Sequence, residues 1–95
     1  MLYKYQAREA TIERREIIAK EETARLIEKI SAEINNCIDK GMFFLVYKYK
    51  FNFTKTPGFA IFRETLKYFE KLEYEIGYDC KRYGETYIYE ITISW

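Results

Sequence analysis

The residues best suited to chemistry in this sequence are basic and aromatic side chains on two predicted strands. Arginine binds a phosphate through two parallel hydrogen bonds, and a tyrosine ring offers a flat face on which a nucleobase stacks. Such a patch suits a small phosphorylated nucleotide, and the alternative interpretation is ordinary solubilising charge at a hairpin turn. The candidate ligand-binding residues are Lys48, Lys50, Lys81, Arg82, Tyr83 and Tyr87.

Other reactive side chains are poorly placed for catalysis. The chain has no histidine, which removes the commonest general base and the usual transition-metal ligand. Cys37 and Cys80 lack C-x-x-C spacing and have no histidine to activate them, so we expect two buried or half-buried thiols and no metal site. Asp79 with nearby tyrosines is the weak basis for a hydrolase. We therefore expect a protein that is not an enzyme and uses no cofactor.

Length and charge narrow the class of protein. The chain has 95 residues, 48% of them hydrophobic, which predicts a single domain over 1–95 around one core. Its 16 basic and 15 acidic residues nearly cancel, so we expect neither non-specific nucleic-acid binding nor a membrane partner. No apolar run approaches the roughly 18 residues of a membrane span and no signal peptide is evident, which predicts a cytoplasmic location.

A long N-terminal helix is predicted over residues 7–40. Gly41 supplies its stop, and the first half is mostly charged, which favours a helix that projects beyond the core. A projecting helix of a few turns is marginal alone, so we expect it to pack against a second copy or another partner. The last part carries apolar residues three and four apart, namely Leu26, Ile27, Ile30, Ile34, Cys37 and Ile38.

The rest of the chain, 42–95, is predicted to form a strand-helix-hairpin unit. Alternating aromatic residues indicate strands, and apolar residues three or four apart indicate the helix between them. The predicted segments are a strand over 42–53, a turn over 54–58, a helix over 59–75 ended by Gly77, and strands over 78–83 and 86–95 joined at Gly84 and Glu85.

These elements predict a two-layer α+β domain in the order α-β-α-β-β, with a three-stranded mixed sheet covered by two helices. A right-handed strand-helix-strand crossover would make the first two strands parallel neighbours, and the hairpin would add an antiparallel pair. The aromatic faces would point toward the helices. The sheet would keep open edges, which invite pairing between copies of the chain.

Three motifs mark the layout of the chain: a charged helix ending on Ile30, Ile34 and Ile38 before Gly41, then Ile76-Gly77-Tyr78, and the terminal strand Ile91-Thr92-Ile93-Ser94-Trp95. With these motifs, the layout resembles that of small accessory proteins encoded by tailed bacteriophages, over most of the chain. The resemblance implies a protein that counters host defence in the host cytoplasm, either by sequestering a nucleotide immune signal or by capping a host protein.

Two functional hypotheses follow. The leading one is a homo-oligomer that sequesters a small nucleotide, with a tyrosine on the base and Arg82, Lys81 or Lys48 on the phosphates. The alternative is a protein–protein inhibitor that docks on a host immune, replication or transcription factor through a sheet edge or the aromatic face. A nucleotide-binding panel and the mass of the protein in solution would separate them.

Overall fold

Two helices and three strands make up the computed structural model, which describes residues 3–95. The predicted order α-β-α-β-β and the α+β class are confirmed. The elements are α1 (Lys4–Asp39), β1 (Phe44–Asn52), α2 (Gly58–Lys71), β2 (Glu75–Tyr83) and β3 (Thr86–Ser94).

The sheet is antiparallel throughout, with strand order β1-β3-β2. The prediction of a mixed sheet with β1 and β2 as parallel neighbours is therefore wrong. The hairpin strand β3 lies between them and pairs antiparallel with both. After α2 the chain enters the sheet at β2, one strand position away from β1. The two-residue turn after β2 then returns the chain as β3, which fills the position between them.

The core lies between the helices and one face of the sheet. Leu26, Ile30 and Ile34 of α1 pack in one cluster with Ile61 and Phe69 of α2. The sheet contributes to the same cluster through Leu45, Ile91 and Ile93. Because side chains alternate along a strand, the other face of the sheet carries the residues between these positions and is left uncovered.

α1 has the predicted stop but a longer start. It begins at Lys4, and Gly41 ends it at φ 72°, with the N–H of Met42 donating to the carbonyl of Cys37 at 2.9 Å. The first three turns lie outside the core: residues 3–14 are all exposed. No helix within residues 3–95 is both long and apolar enough to cross a membrane.

α2 ends earlier than its sequence pattern predicts. The predicted helix over 59–75 stops at Lys71, and the left-handed residue after it is Glu73 at φ 70°. The N–H of Tyr74 donates to the carbonyl of Phe69 at 3.2 Å, which closes the helix end. Gly77 is therefore no helix stop; it lies inside β2, which begins at Glu75.

Candidate functional site

Four of the six candidate residues share the uncovered face of the sheet. Lys50 and Lys81 flank Ile88 of the central strand, and Lys48 and Tyr83 lie one pair away on either side. Three of the four, without Lys50, line a shallow cleft of about 210 Å³, whose lining residues are Lys48, Asp79, Lys81, Tyr83, Ile88 and Glu90. The structure thus brings two predicted basic strands together across β3.

Carboxylates occupy the same cleft. In the register of the sheet, Lys48 lies beside Glu90, and Glu90 lies beside Asp79. A phosphate that approaches Lys48 or Lys81 therefore also meets two negative charges, which weaken its attraction. The cleft suits a ligand with groups of both signs better than a polyanion.

Arg82 and Tyr87 lie on the opposite, helix-facing side of the sheet, so the six predicted residues do not form one site. The Arg82 guanidinium carbon is 5.2 Å from the ring centre of Phe53 and 5.3 Å from that of Tyr87. Its Nε donates to the carbonyl of Gly84 at 2.9 Å. Arg82 thus stabilises the hairpin turn through cation–π contacts and one hydrogen bond.

Several tyrosines belong to an aromatic layer beneath α2. The Tyr89 ring stacks on Phe62 with centroids 3.8 Å apart, and Tyr87 meets Phe59 edge to face at 4.8 Å. Burial, followed by the neighbouring Cys80, raises the pKa of Tyr89 to about 12, so its hydroxyl stays protonated at neutral pH. These rings are packing residues and leave Tyr78 and Tyr83 as the exposed tyrosines of the hairpin.

The most exposed element of the sheet is β2, which forms one of its two edges. Of its nine residues only Ile76 is half-buried, and the others are exposed. Cys80, expected to be buried or half-buried, is exposed here, whereas Cys37 is buried as expected. The exposure fits the strand order, because β2 has a neighbouring strand on one side only.

Backbone groups of β2 point outward at every second residue. The N–H of Phe53 donates to Glu85 and that of Trp95 to Phe43, so odd residues of β3 bond to β1. Even residues of β3 therefore bond to β2, where their partners carry odd numbers. This leaves the N–H and C=O of Ile76, Tyr78, Cys80 and Arg82 without a backbone partner in the part of the chain that the structure describes.

A groove runs between this edge and α2. It has a volume of about 350 Å³, and Phe62, Leu66 and Tyr78 make it largely apolar. Charged groups of α2, namely Arg63, Lys67 and Glu70, stand on its rim. If a further strand paired with β2, every second side chain of that strand would point toward this groove.

The other edge, β1, is protected. Side chains of α1, including Glu22, Arg25 and Lys29, stand beside it, and Lys48 and Lys50 project from the strand itself. Charged side chains along an edge discourage pairing with another chain, but β2 carries them too, at Asp79, Lys81 and Arg82. The edges differ in exposure, because β1 has buried residues and β2 has none, and β2 is therefore the better candidate for an interaction.

Metal-binding groups do not cluster in residues 3–95. These residues hold no group of three or more Cys, Asp and Glu side chains arranged to bind a metal ion. Comparison with models of protein families, with curated proteins and with solved structures finds no match for the chain.

Sequence reasoning missed the residues of the groove. Phe62, Leu66 and Tyr78 occupy apolar positions of a helix and a strand, which is also the pattern of core residues. The sequence predicts open edges in general, but which strand forms an edge depends on the strand order. Only the strand order shows that Tyr78 lies at an edge of the sheet and not in the core.

Proposed function

We propose that this chain is a non-enzymatic binding protein that takes up an extended segment of a partner polypeptide as an additional strand beside β2. The observation that carries the proposal is the nine-residue edge strand with outward backbone groups at Tyr78, Cys80 and Arg82. Docking through a sheet edge is one of the two modes that the sequence suggests, and the geometry favours it over capture of a nucleotide.

Both components of strand addition are available at this edge. Hydrogen bonds to the backbone of β2 supply affinity, independently of the sequence of the partner. Alternate side chains of the added strand point into the groove at Phe62, Leu66 and Tyr78, which supplies specificity for apolar residues. Without a partner strand, the N–H of Cys80 donates to Oδ1 of the neighbouring Asp79 at 3.1 Å, and an added strand would replace this local bond.

A displayed library of extended peptides tests the proposal. Peptides enriched on the wild-type protein are synthesised and titrated against the wild type and the variant Cys80→Pro. Proline at Cys80 removes an outward N–H but spares the bonds between β2 and β3, because these use the odd residues of β2. The matched control is Lys48→Pro, which removes an outward N–H on the opposite edge.

We expect Cys80→Pro to weaken peptide binding by about tenfold, since a hydrogen bond of this kind contributes about 1 kcal/mol and its neighbours are disturbed. Lys48→Pro should bind as the wild type does. Equal binding by all three folded proteins, or a library without any enriched peptide, would refute strand addition at β2.

Nucleotide capture is the second candidate, and the convergence of Lys48, Lys50, Lys81 and Tyr83 on the uncovered face favours it. Calorimetry with cyclic and ADP-ribose-type nucleotides tests it. Binding that is lost in Lys81→Ala and retained in Arg82→Ala would support this site, because Arg82 lies on the other face. Absence of heat with the whole panel would remove the hypothesis.

The biological setting is proposed from the phage resemblance alone. If the chain is an accessory protein that counters host defence, the natural partner at β2 is a host protein with an exposed strand or an extended segment. Peptides selected by display would then share a pattern with that segment, with apolar residues at alternate positions for the groove at Phe62 and Leu66.

A further inference from the structure

We infer that one occupant of the β2 edge is a second copy of the same chain, bound antiparallel about a twofold axis that passes through Cys80. The inference rests on the proposed function, namely that this edge accepts a strand. It goes further by naming the partner and the register.

Backbone geometry limits the registers that such a pair can take. The outward groups belong to the even residues of β2, so an even residue must face an even residue of the partner. The twofold axis then passes through one residue of β2. Which residue this is determines the side chains that lie opposite each other on the uncovered face, and the fit of those side chains favours one register over the others.

A centre at Cys80 produces two favourable charge pairs. Asp79 lies opposite the partner's Lys81, and Lys81 lies opposite the partner's Asp79. Gly77 lies opposite the partner's Tyr83, whose ring covers the exposed glycine backbone. On the helix-facing side, Tyr78 lies opposite the partner's Arg82, as suits a cation and an aromatic ring.

Other centres are less favourable. An axis through Asp79 places two aspartates opposite each other, and an axis through Lys81 does the same with two lysines. An axis through Gly77 sets Asp79 against the partner's Glu75. An axis through Tyr78 pairs Lys81 with the partner's Glu75 but leaves Asp79 opposite a glycine and puts two bulky rings at the centre, beside Phe62.

Charge reversal tests the register directly. Asp79→Lys places lysine opposite lysine at both pairs, and Lys81→Asp places aspartate opposite aspartate. The double variant Asp79→Lys with Lys81→Asp restores both pairs with reversed sign. In an equimolar mixture of the two single variants, the mixed dimer also has two opposite-charge pairs, one of them reversed. The matched control is Glu75→Lys. Glu75 lies outside the paired segment in this register, but in the register about Tyr78 it forms the charge pair with the partner's Lys81.

Sedimentation of the pure proteins at about 10 μM to 1 mM measures the outcome. We expect the wild type and Glu75→Lys to dimerise alike and each single reversal to weaken dimerisation by about tenfold. The double variant and the mixture should recover it. Circular dichroism confirms that each variant is folded.

Three results would overturn the inference: a monomeric wild type over this range, single reversals that dimerise normally, or a double variant that does not recover. A loss in Glu75→Lys and in Lys81→Asp, with Asp79→Lys unaffected, would instead indicate the register about Tyr78 and also overturn the proposed one. None of these results decides whether displayed peptides bind at β2, so failure of self-pairing and failure of strand addition remain distinguishable.

Discussion

Gly58 is the residue at which one added methyl group should disturb the core most. A Cβ atom at this position would overlap the ring of Phe51, a buried residue of β1. The ring is itself held against Phe59, Tyr87 and Tyr89, so it cannot move aside freely. We expect Gly58→Ala to lower the free energy of unfolding by about 1–3 kcal/mol, as overpacked cores do, in urea denaturation.

Gly77→Ala is the matched control for this prediction. A Cβ atom at Gly77 meets no atom within 4 Å, and alanine restricts the unfolded chain more than glycine does, so stability should be unchanged or slightly higher. Equal stability of Gly58→Ala and the wild type would show that the Phe51 ring can shift without cost.

Tyr49 should make the fold sensitive to alkaline pH. Burial, followed by the charge of Glu22, raises its pKa to about 12 from 10.0. Between these values the unfolded chain has lost the phenolic proton and the folded chain has kept it, so stability falls as pH rises from 10.0 toward 12. Absorbance at the phenolate band and melting temperature measure the two effects, and Tyr49→Phe should show a smaller loss of stability over this range.

The candidate residues illustrate what single positions can reveal. Lys81 and Tyr83 have the predicted place on an exposed surface because charged and polar side chains near a turn stay in water. Arg82, between them in sequence, points to the other face because side chains alternate along a strand. Alternation was evident from the sequence, but contacts of the Arg82 guanidinium with Phe53 required the pairing of β1 with β3.

At the scale of elements, α2 ends on a residue that is poorly suited to its conformation. Glu73 has φ 70°, where a side chain with a Cβ atom is strained and glycine is not. Glu73→Gly should therefore raise the free energy of unfolding by up to about 1 kcal/mol. Thermal unfolding measures the change.

The control for the helix end is Glu70→Gly, within α2. Glycine there adds backbone entropy to the unfolded state without relieving strain, so stability should fall by about 1 kcal/mol. Loss of stability in both variants would show that the left-handed conformation of Glu73 is not strained. The hydrogen bond from Tyr74 to Phe69 would then be enough to stabilise this helix end.

Elements were predicted better than their arrangement. Five segments follow from local periodicity, and the stop at Gly41 follows from its left-handed conformation. The end of α2 was missed because no glycine marks it, and the position of β3 was missed because pairing joins residues far apart in the chain. The edge at β2, and with it the candidate site, depends on that pairing.

The whole molecule is longer than a compact chain of its size. Its extents are 57 × 26 × 18 Å and its radius of gyration is 15.8 Å, whereas a compact domain of this length has about 12 Å. The difference comes from the first turns of α1, where Ile12 and Ile17 remain 49% and 46% exposed. The expectation that this part packs against a partner stays a prediction, since such a helix is marginal in water alone.

Removing residues 1–12 tests whether this part of α1 contributes to the fold. None of residues 3–12 belongs to the core cluster, in which Leu26 is the first of the described residues along the chain. We therefore expect the melting temperature to change by less than about 4 °C, the effect of roughly 1 kcal/mol, while scattering shows a smaller radius of gyration.

The control is Ile30→Ala, a core change in the same helix, which should lower the free energy of unfolding by about 2–5 kcal/mol. If the truncated chain instead lost stability on the scale of Ile30→Ala, and did so more strongly at high protein concentration, the projecting turns would be packed between copies. The projecting part of α1 would then belong to the assembled form.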